Sequence, residues 1–482
     1  MTTADAGHAG DRPRWGVLRH RHFRNVWIGS FGASLGGWME HVGIRWYMTE
    51  MTTSPDWKGP DANEMISYLT SAALVPTLLL GMVAGLVTDR VNRKRMLLIS
   101  RASMMLIALG LVAVSALGMV GPAVLLILSA LQGVAIAFDI PASQVLTPRL
   151  VPRDELTKAI HLNGVQFNLA RVIGPAMAGG ILASMGTTSL FVINAVSFVG
   201  VLLSVAGTPD APAPPRRDNG RTVVAQAWHD VAEALSFVFH RRGPRAVFLA
   251  LVAFAIFATP LMQLLPVFVH QVYGEEEKTF GMLLGVMGSG AVAGGILVRR
   301  IPKWYPMHHF IPLSVLLGGV SITLFAVMRD VIPASIFLFF SGIFWMWAFN
   351  SAMAAMQLLV EDEMRGRVLA VCNTAAMGLM PVGTLAASFG GNLLVNAYAH
   401  WHGDTFDHET TVGLAAQTGV AGCAVVLIVA GLVMLLRRTP EVDGPIEQGG
   451  LSREGGLLRG LTASEHRPAR SIEGASASIP GK

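Results

Sequence analysis

Long uncharged stretches recur along this chain, and they constrain its fold more than any other feature. About 20 apolar residues cross a bilayer as a helix, and a helix satisfies its own backbone hydrogen bonds there. We therefore predict an all-α membrane protein with twelve transmembrane helices. They lie near residues 25–48, 65–88, 96–118, 122–146, 160–184, 187–207, 246–271, 279–300, 309–328, 332–358, 368–397 and 411–436.

Charge is scarce and unevenly distributed. Charged residues form 14% of the chain and hydrophobic residues 52%, whereas soluble domains are about 25% charged. This composition excludes an ordinary soluble enzyme. Basic residues gather in alternate connections, at 90–95, 149–158, 216–245, 299–303 and 365–367, and acidic residues in the others, at 56–64, 275–277 and 404–409. The alternation predicts that both termini lie in the cytoplasm. The net charge of +5 reflects this orientation, and it does not indicate nucleic-acid binding because the basic residues do not share one soluble face.

The connections divide the chain into five predicted segments. These are a cytoplasmic N-terminal segment (1–22), a six-helix bundle (23–207), a cytoplasmic linker (208–245), a second six-helix bundle (246–437) and a disordered cytoplasmic tail (438–482). Within the linker, Trp228, Val231, Leu235 and Val238 follow helical spacing. That pattern predicts an amphipathic helix on the inner membrane surface.

The turn at residues 85–95 joins two apolar stretches and carries Gly85, Asp89, Arg90 and Arg93. A carboxylate at a helix C-terminus opposes the helix dipole, so Asp89 needs a partner from elsewhere. The spacing resembles the loop between helices 2 and 3 of the major facilitator superfamily, G-x-L-a-D-R-x-G-R-K. Asn92 stands where that family usually has glycine, and Val87 where it has leucine. The resemblance implies an inner latch between helices.

Two regions of the chain repeat each other about 210 residues apart. Ala137, Phe138 and Asp139 lead to a charged segment at 150–155, and Ala348, Phe349 and Asn350 lead to another at 359–367. Chance similarity between apolar helices is the alternative. Two related six-helix halves are typical of transporters that bind substrate between the halves near mid-membrane.

These motifs narrow the resemblance further. The chain resembles the enterobactin-exporter-like branch of the superfamily at residues 137–142, 148–156 and 365–367 and at Trp46 and Asn163. The similarity covers roughly residues 18–437. Members of that branch are proton-driven exporters of drugs, siderophores or other amphipathic products. The resemblance implies a monomeric exporter in the bacterial inner membrane, with a small-molecule substrate, the lipid bilayer as its surroundings, and the proton gradient in place of any cofactor or metal.

The fifth predicted helix contains Gly174, Pro175, Gly179 and Gly180. This pattern resembles the glycine- and proline-rich motif associated with antiporters of the superfamily. Proline removes a backbone donor and kinks a helix, while glycine permits a close crossing. A gating hinge and ordinary helix packing are both consistent with the pattern.

Ionisable residues inside a membrane need a specific role, because each costs about 2.5–3.5 kcal/mol on insertion scales. Glu40 and Arg171 lie at similar predicted depths, which allows an ion pair. Burial favours the neutral form of a carboxyl group, so Glu40 is the candidate proton carrier; a wetted position in an outer cavity is the alternative. Arg171 could neutralise Glu40 or attract an anionic substrate. Arg45, nearer the outside, could snorkel to the surface.

Asp139 lies level with Arg101 and with the Arg93 loop, which predicts that it is a structural partner of one of these arginines and, with Asp89, a part of the inner latch. A role for Asp139 as a substrate ligand is the alternative. Proton-coupled drug exporters of the superfamily often carry an arginine three residues before a Gln-Gly pair in helix 4. This chain has the pair, Gln132 and Gly133, but Ser129 occupies the position of the arginine, so proton coupling through that residue is not available.

Aromatic side chains could line an apolar substrate cavity, although core or lipid-facing positions are the alternative. The candidates are Phe254, Phe257, Trp345 and Asn350. No Walker sequence and no catalytic pair recurs in the sequence, so neither ATP-driven transport nor an enzyme is expected. An importer or uniporter of the same fold, and a non-transporting membrane sensor or assembly subunit, stay open as alternatives.

Overall fold

The computed structural model describes residues 16–54, 56–209, 223–302, 305–402 and 407–443, and the regular elements in these ranges are helices. The α-helices are α1 (Arg21–Thr52), α2 (Ala62–Arg90), α3 (Arg93–Ala116), α4 (Pro122–Leu150), α5 (Leu156–Met185), α6 (Thr187–Ala206), α7 (Val223–His240), α8 (Arg242–Phe257), α9 (Thr259–Val267), α10 (Glu277–Leu297), α11 (Met307–Val327), α12 (Val331–Leu359), α13 (Asp362–Gly378), α14 (Met380–His402) and α15 (His408–Arg437).

Each predicted membrane stretch coincides with one helix or with two consecutive helices, so the all-α membrane fold is confirmed. Within the described ranges, ten helical segments are long and apolar enough to span a bilayer. These ten do not include α1 and α5, which are 32 and 30 residues long and carry the ionisable residues discussed above. Twelve spans in two bundles stay a prediction.

Two of the predicted stretches are interrupted. The stretch at 246–271 is divided between α8 and α9 next to Pro260, and the stretch at 368–397 between α13 and α14 next to Pro381. A proline cannot donate to the carbonyl four residues earlier, and its ring clashes with that carbonyl. Each stretch still forms one candidate membrane span, Arg242–Val272 and Met364–His402, with the interruption inside it.

The packing of helices follows the same scheme in the first and second parts of the chain. In the part before α7, which we call the N-half, α1 contacts α5 and α6, α2 contacts α4, and α3 contacts α4 and α6. In the part after α7, the C-half, α8 contacts α14 and α15, α10 contacts α12, and α11 contacts α12 and α15. The two schemes correspond helix by helix, as the repeat in the sequence predicts.

Glycines allow the closest crossings, and one of them recurs at the corresponding place in each half. A Cβ atom on Gly133 of α4 would lie 2.2 Å from the carbonyl oxygen of Ala73 in α2. A Cβ atom on Gly342 of α12 would lie 2.2 Å from the carbonyl oxygen of Met287 in α10. Helices approach this closely where a residue lacks a side chain.

The amphipathic helix predicted in the linker is α7. Ala234 and Val238 are fully buried in a cluster with residues of α8 and α13, including Val247 and Val368. The side chain of Trp228 and residues 210–222 lie outside the described part of the chain. Because α7 packs on the C-half, part of its apolar face contacts protein; its position on the membrane surface stays a prediction.

Candidate functional site

A cavity lies between the N-half and the C-half. Its empty space, including the part open to solvent, is about 510 Å³, which is within the range of small-molecule sites. Thr259 and Met380 line it, so both helix interruptions border the cavity. The full lining comprises Trp38, His41, Val42, Arg45, Arg171, Thr259, Met262, Gln263, Phe280, Leu284, Trp345 and Met380.

One face of α1 contributes four of these side chains. Residues spaced three or four apart share a helix face, so Trp38, His41 and Arg45 point together into the cavity. Arg45 donates from Nη1 to the carbonyl oxygen of His41 over 2.8 Å, and its Nε has no hydrogen-bond partner among the described residues. Arg45 thus lines the cavity in this conformation, and the snorkelling that the sequence allows stays a prediction.

Arg171 reaches from α5 of the N-half to aromatic rings of the C-half. Its guanidinium carbon lies 5.4 Å from the ring centroid of Trp345 and 5.3 Å from that of Phe349, both in α12. Such cation–π contacts are worth about 0.5–2 kcal/mol. Among the described residues, Arg171 forms no ion pair, so it does not neutralise Glu40 in this conformation; the other alternative, attraction of an anionic substrate, stays open.

Glu40 is buried between α1 and α6, with an exposed fraction of 1%. Asn194 of α6 donates from Nδ2 to Oε2 of Glu40 over 2.5 Å. A Cβ atom on Gly36, one turn earlier, would lie 2.6 Å from Oδ1 of Asn194, so this glycine permits the close approach of α6. The carboxylate therefore does not belong to a wetted outer cavity. It lies behind the cavity-lining face of the same helix.

The predicted aromatic cavity is only partly present. Trp345 lines the cavity, and the buried ring of Phe254 packs edge-on against it with centroids 4.9 Å apart. Phe257 is partly buried against the main core cluster. Asn350 donates from Nδ2 to the carbonyl oxygen of Met346, one turn back. The latter two residues are not among those lining this cavity.

The glycines predicted as a hinge in α5 have different surroundings. A Cβ atom on Gly174 would lie 2.6 Å from Cβ of Trp38 in α1, and one on Gly179 would lie 2.1 Å from Cα of Gly281 in α10. Gly180, by contrast, faces open space. Pro175, beside the first crossing, is inside the helix. Gly174 and Gly179 thus serve close packing in this conformation, and a hinge role stays a prediction.

Polar contacts join the halves at the end of the molecule where α2 begins, which is the predicted outer end. Ser67 of α2 and Ser388 of α14 share a hydrogen bond of 2.6 Å between their hydroxyl oxygens. Asn63 donates from Nδ2 to the carbonyl oxygen of Val412 over 2.9 Å. Nearby, Trp46 of α1 stacks on Phe280 of α10 with centroids 5.3 Å apart.

The same end carries a bridge between an amide and two carboxylates. Asn392 of α14 donates from Nδ2 to Asp61 over 2.6 Å and to Glu64 over 3.1 Å. Together with the preceding contacts, this bridge holds the two halves together at the predicted outer end. None of these residues could be predicted as a gate from the sequence, because short polar side chains at helix ends carry no distinctive pattern.

The predicted inner latch is described in part. Arg101 of α3 donates from Nε to Oδ1 of Asp139 in α4 over 3.1 Å, and both side chains are largely buried. This pair joins two helices of the N-half. Arg93 is the first residue of α3. The surroundings of Gly85 and the side chains of Asp89 and Arg90 lie outside the described part of the chain, so the latch itself stays a prediction.

Comparison with known proteins places these features in a family. The sequence profile described as transmembrane secretion effector matches residues 13–398. The staphyloferrin A transporter of Staphylococcus aureus is 26% identical over 361 residues, which cover 74% of this chain and 87% of that protein. Macrolide efflux protein A of Streptococcus pyogenes is 22% identical over 386 residues, which cover 79% of this chain and 91% of that protein.

Solved structures show the same fold. A bacterial homologue of the human lysosomal transporter Spinster matches with a TM-score of 0.63 at 13% identity, over 90% of this chain and 97% of that one. A nucleoside transporter matches with a TM-score of 0.64 at 13% identity, over 86% and 100% of the two chains. At such identities the likeness establishes the architecture and leaves the cargo open.

Proposed function

Because the chain belongs to the transmembrane secretion effector family of the major facilitator superfamily, we propose that it is a secondary active exporter of amphipathic small molecules. Its relatives include a staphyloferrin A transporter and a macrolide efflux protein. The family and its solved structural relatives are membrane transporters, not enzymes.

The observation that carries the proposal is the cavity between the two halves. It is lined from both halves, it borders two interrupted helices, and polar contacts close it at the outer end. Transporters with repeated halves move a central substrate by rocking the halves about such a site. Outward release then requires the contacts of Ser67 and Asn392 to break while new contacts form at the inner end.

We assign the driving force to proton exchange, with Glu40 as the carrier. An ionised carboxylate with one amide donor is costly in an apolar interior, and proton binding removes that charge. Movement of α1 against α6 would expose Glu40 and allow it to exchange its proton. The proposal includes twelve spans in two bundles, both termini in the cytoplasm of a bacterial cell, and a monomer in the inner membrane.

Purified protein in proteoliposomes tests this function. A panel of amphipathic drugs and siderophores is loaded, and a pH gradient is imposed in either orientation. We expect gradient-dependent movement of at least one compound towards the acidic side. Absence of such movement across the panel would reject the exporter, and movement only in the opposite direction would establish an importer.

Glu40→Gln keeps the size of the side chain and can still accept a hydrogen bond from Asn194. We expect this variant to lose gradient-driven flux while it remains folded. Glu50→Gln is the matched control, since Glu50 is an exposed glutamate on the same helix. Equal flux in both variants would remove Glu40 from the mechanism.

A further inference from the structure

Two arginines face the central cavity, and no carboxylate of the described residues pairs with either of them. Arg45 projects from α1 and Arg171 from α5, and both line the same space. The ion pairs among the described residues lie elsewhere, and none includes either guanidinium. Glu40, the buried carboxylate five residues before Arg45, accepts a hydrogen bond from Asn194 of α6.

These guanidinium groups have unused hydrogen-bonding capacity. An arginine has five N–H donors in a planar fork that matches a carboxylate. Arg45 uses one group, Nη1, on a backbone carbonyl, and its Nε is buried without an acceptor. Arg171 is held by the faces of two aromatic rings instead of an oxygen acceptor. Both can therefore donate to an incoming anion without breaking an ion pair of the protein.

The remaining lining explains how an apolar body would be accommodated. Trp38, Phe280 and Trp345 line the space with aromatic rings, and Met262 and Met380 add flexible apolar surface. Methionine adapts its shape to different ligands, whereas tryptophan and phenylalanine stack on planar groups. A molecule with an aromatic or alicyclic body and an acidic group matches both parts of this lining.

We propose that the cargo is an organic anion: an apolar, ring-containing body that bears at least one carboxylate or a comparable oxyanion. The proposal rests on the proposed carrier function and names the chemical class of its cargo. A cationic amphiphile would meet two guanidinium groups and no carboxylate in the described lining. A neutral molecule would leave both arginines unneutralised in the membrane interior, where isolated charge is unfavourable.

Equilibrium binding tests the class without any gradient. Three sets of probes share one ring system each (benzene, naphthalene or anthracene) and differ only in the acetate, acetamide or ethylamine group that they carry. Calorimetry on the full-length protein in nanodiscs gives the dissociation constant of each probe. We expect at least one acid to bind about tenfold or more tightly than its amide, as charge-assisted hydrogen bonds predict, and the amine to bind least tightly.

Variants assign the preference to the arginines. Arg171→Gln and Arg45→Gln should each reduce the acid-to-amide ratio, and the double variant should bring it near one. Arg171→Lys retains the charge and should retain most of the preference, and Arg299→Gln, an exposed site outside the cavity, should leave it unchanged. Monodisperse elution and an unchanged Tm identify the variants that remain folded.

The proposal is overturned if no acid binds more tightly than its amide, including the case in which no probe binds. It is also overturned if the preference survives in the double variant. The outcome is independent of the proposed export function, because binding is measured without a gradient. A clear acid preference without pH-driven flux would reject proton-driven export and leave the cargo class in place.

Discussion

The crossing of α5 and α10 offers a direct way to disturb the closed outer end. Gly179→Ala places a methyl group where Cα of Gly281 lies 2.1 Å away, whereas carbon atoms normally rest about 3.5–4.0 Å apart. The helices must therefore separate by about 1.5 Å. Because α5 belongs to the N-half and α10 to the C-half, this separation opposes closure of the outer end.

The magnitude follows from the cost of overpacking, which is typically about 1–3 kcal/mol in a closely packed interior. If the outer-open conformation relieves this strain, its population relative to the closed one should rise about 5- to 150-fold. Gly180→Ala is the matched control, because a Cβ atom there meets nothing within 4 Å. Both substitutions raise helix propensity by the same amount, about 1 kcal/mol, so their difference isolates the crossing.

Spin labels at the outer end measure the effect. Leu117→Cys after α3 and Trp401→Cys in α14 place labels on side chains that are 71% and 88% exposed, one in each half. The native Cys372 and Cys423 are buried. We expect double electron–electron resonance to show longer distances in Gly179→Ala and the original distribution in Gly180→Ala. Identical distributions in the two variants would refute the reasoning.

Three further perturbations follow from the described contacts. Asn392→Asp replaces the donor between Asp61 and Glu64 with a third carboxylate. Repulsion between the carboxylates should lengthen the same spin-label distance at alkaline pH, and acidification should shorten it again. A distance that does not depend on pH would contradict this prediction. Asp139→Asn leaves Arg101 largely buried without its ion-pair partner; unfolding should require about 3 kcal/mol less, and the double variant with Arg101→Gln should recover part of the lost Tm. Arg367→Gln removes the 2.7 Å contact to Glu233 of α7. Amide hydrogen exchange in α7 should become faster, and because the pair is exposed the free energy of opening should fall by less than about 1 kcal/mol.

The fold could be predicted from the sequence because an apolar stretch in a bilayer must satisfy its own backbone hydrogen bonds, as a helix does. Uncharged stretches located the helices, and the matching segments near Asp139 and Asn350 revealed the repeat that the packing reproduces. The interruptions beside Pro260 and Pro381 were missed although the prolines were visible. Hydropathy reports whether a stretch is apolar, and it does not distinguish a continuous helix from two helices in line.

The site was harder to predict, because the depth of a residue along a helix does not determine the direction in which its side chain faces. Consecutive residues differ by about 100° on a helix, so Glu40 and His41 face different neighbours. Equal depth suggested an ion pair of Glu40 with Arg171, whereas the structure turns the carboxylate towards Asn194 and leaves the guanidinium among rings. The Arg101–Asp139 contact could be predicted because those helices are adjacent in sequence and their turn is short.

The charge of the proposed cargo has an energetic consequence. An organic acid leaving the cell and a proton entering it move electric charge in the same direction. Each elementary charge gains about 2.3 kcal/mol per 100 mV of membrane potential, so exchange of a monoanion for one proton gains about twice that amount. We expect an inside-negative potential alone, without a pH gradient, to accelerate efflux of the acid probe from vesicles. A flux that does not depend on the membrane potential would argue against an anionic cargo or against exchange with protons.

The sign of the coupling between proton and cargo decides the direction of transport. An ionised Glu40 repels an anion held by Arg45 and Arg171, so electrostatics alone favours loading the proton and the anion together, as a symporter does. Exchange requires the opposite: the movement of α1 that admits a proton to Glu40 must weaken the cavity's hold on the acid. We therefore expect the Kd of the acid probe to rise on acidification and to lose that dependence in Glu40→Gln. His41→Gln separates any contribution of the imidazole that faces the cavity. A Kd that falls on acidification, through Glu40, would mean that both ligands load together, and would replace export by exchange with import by symport.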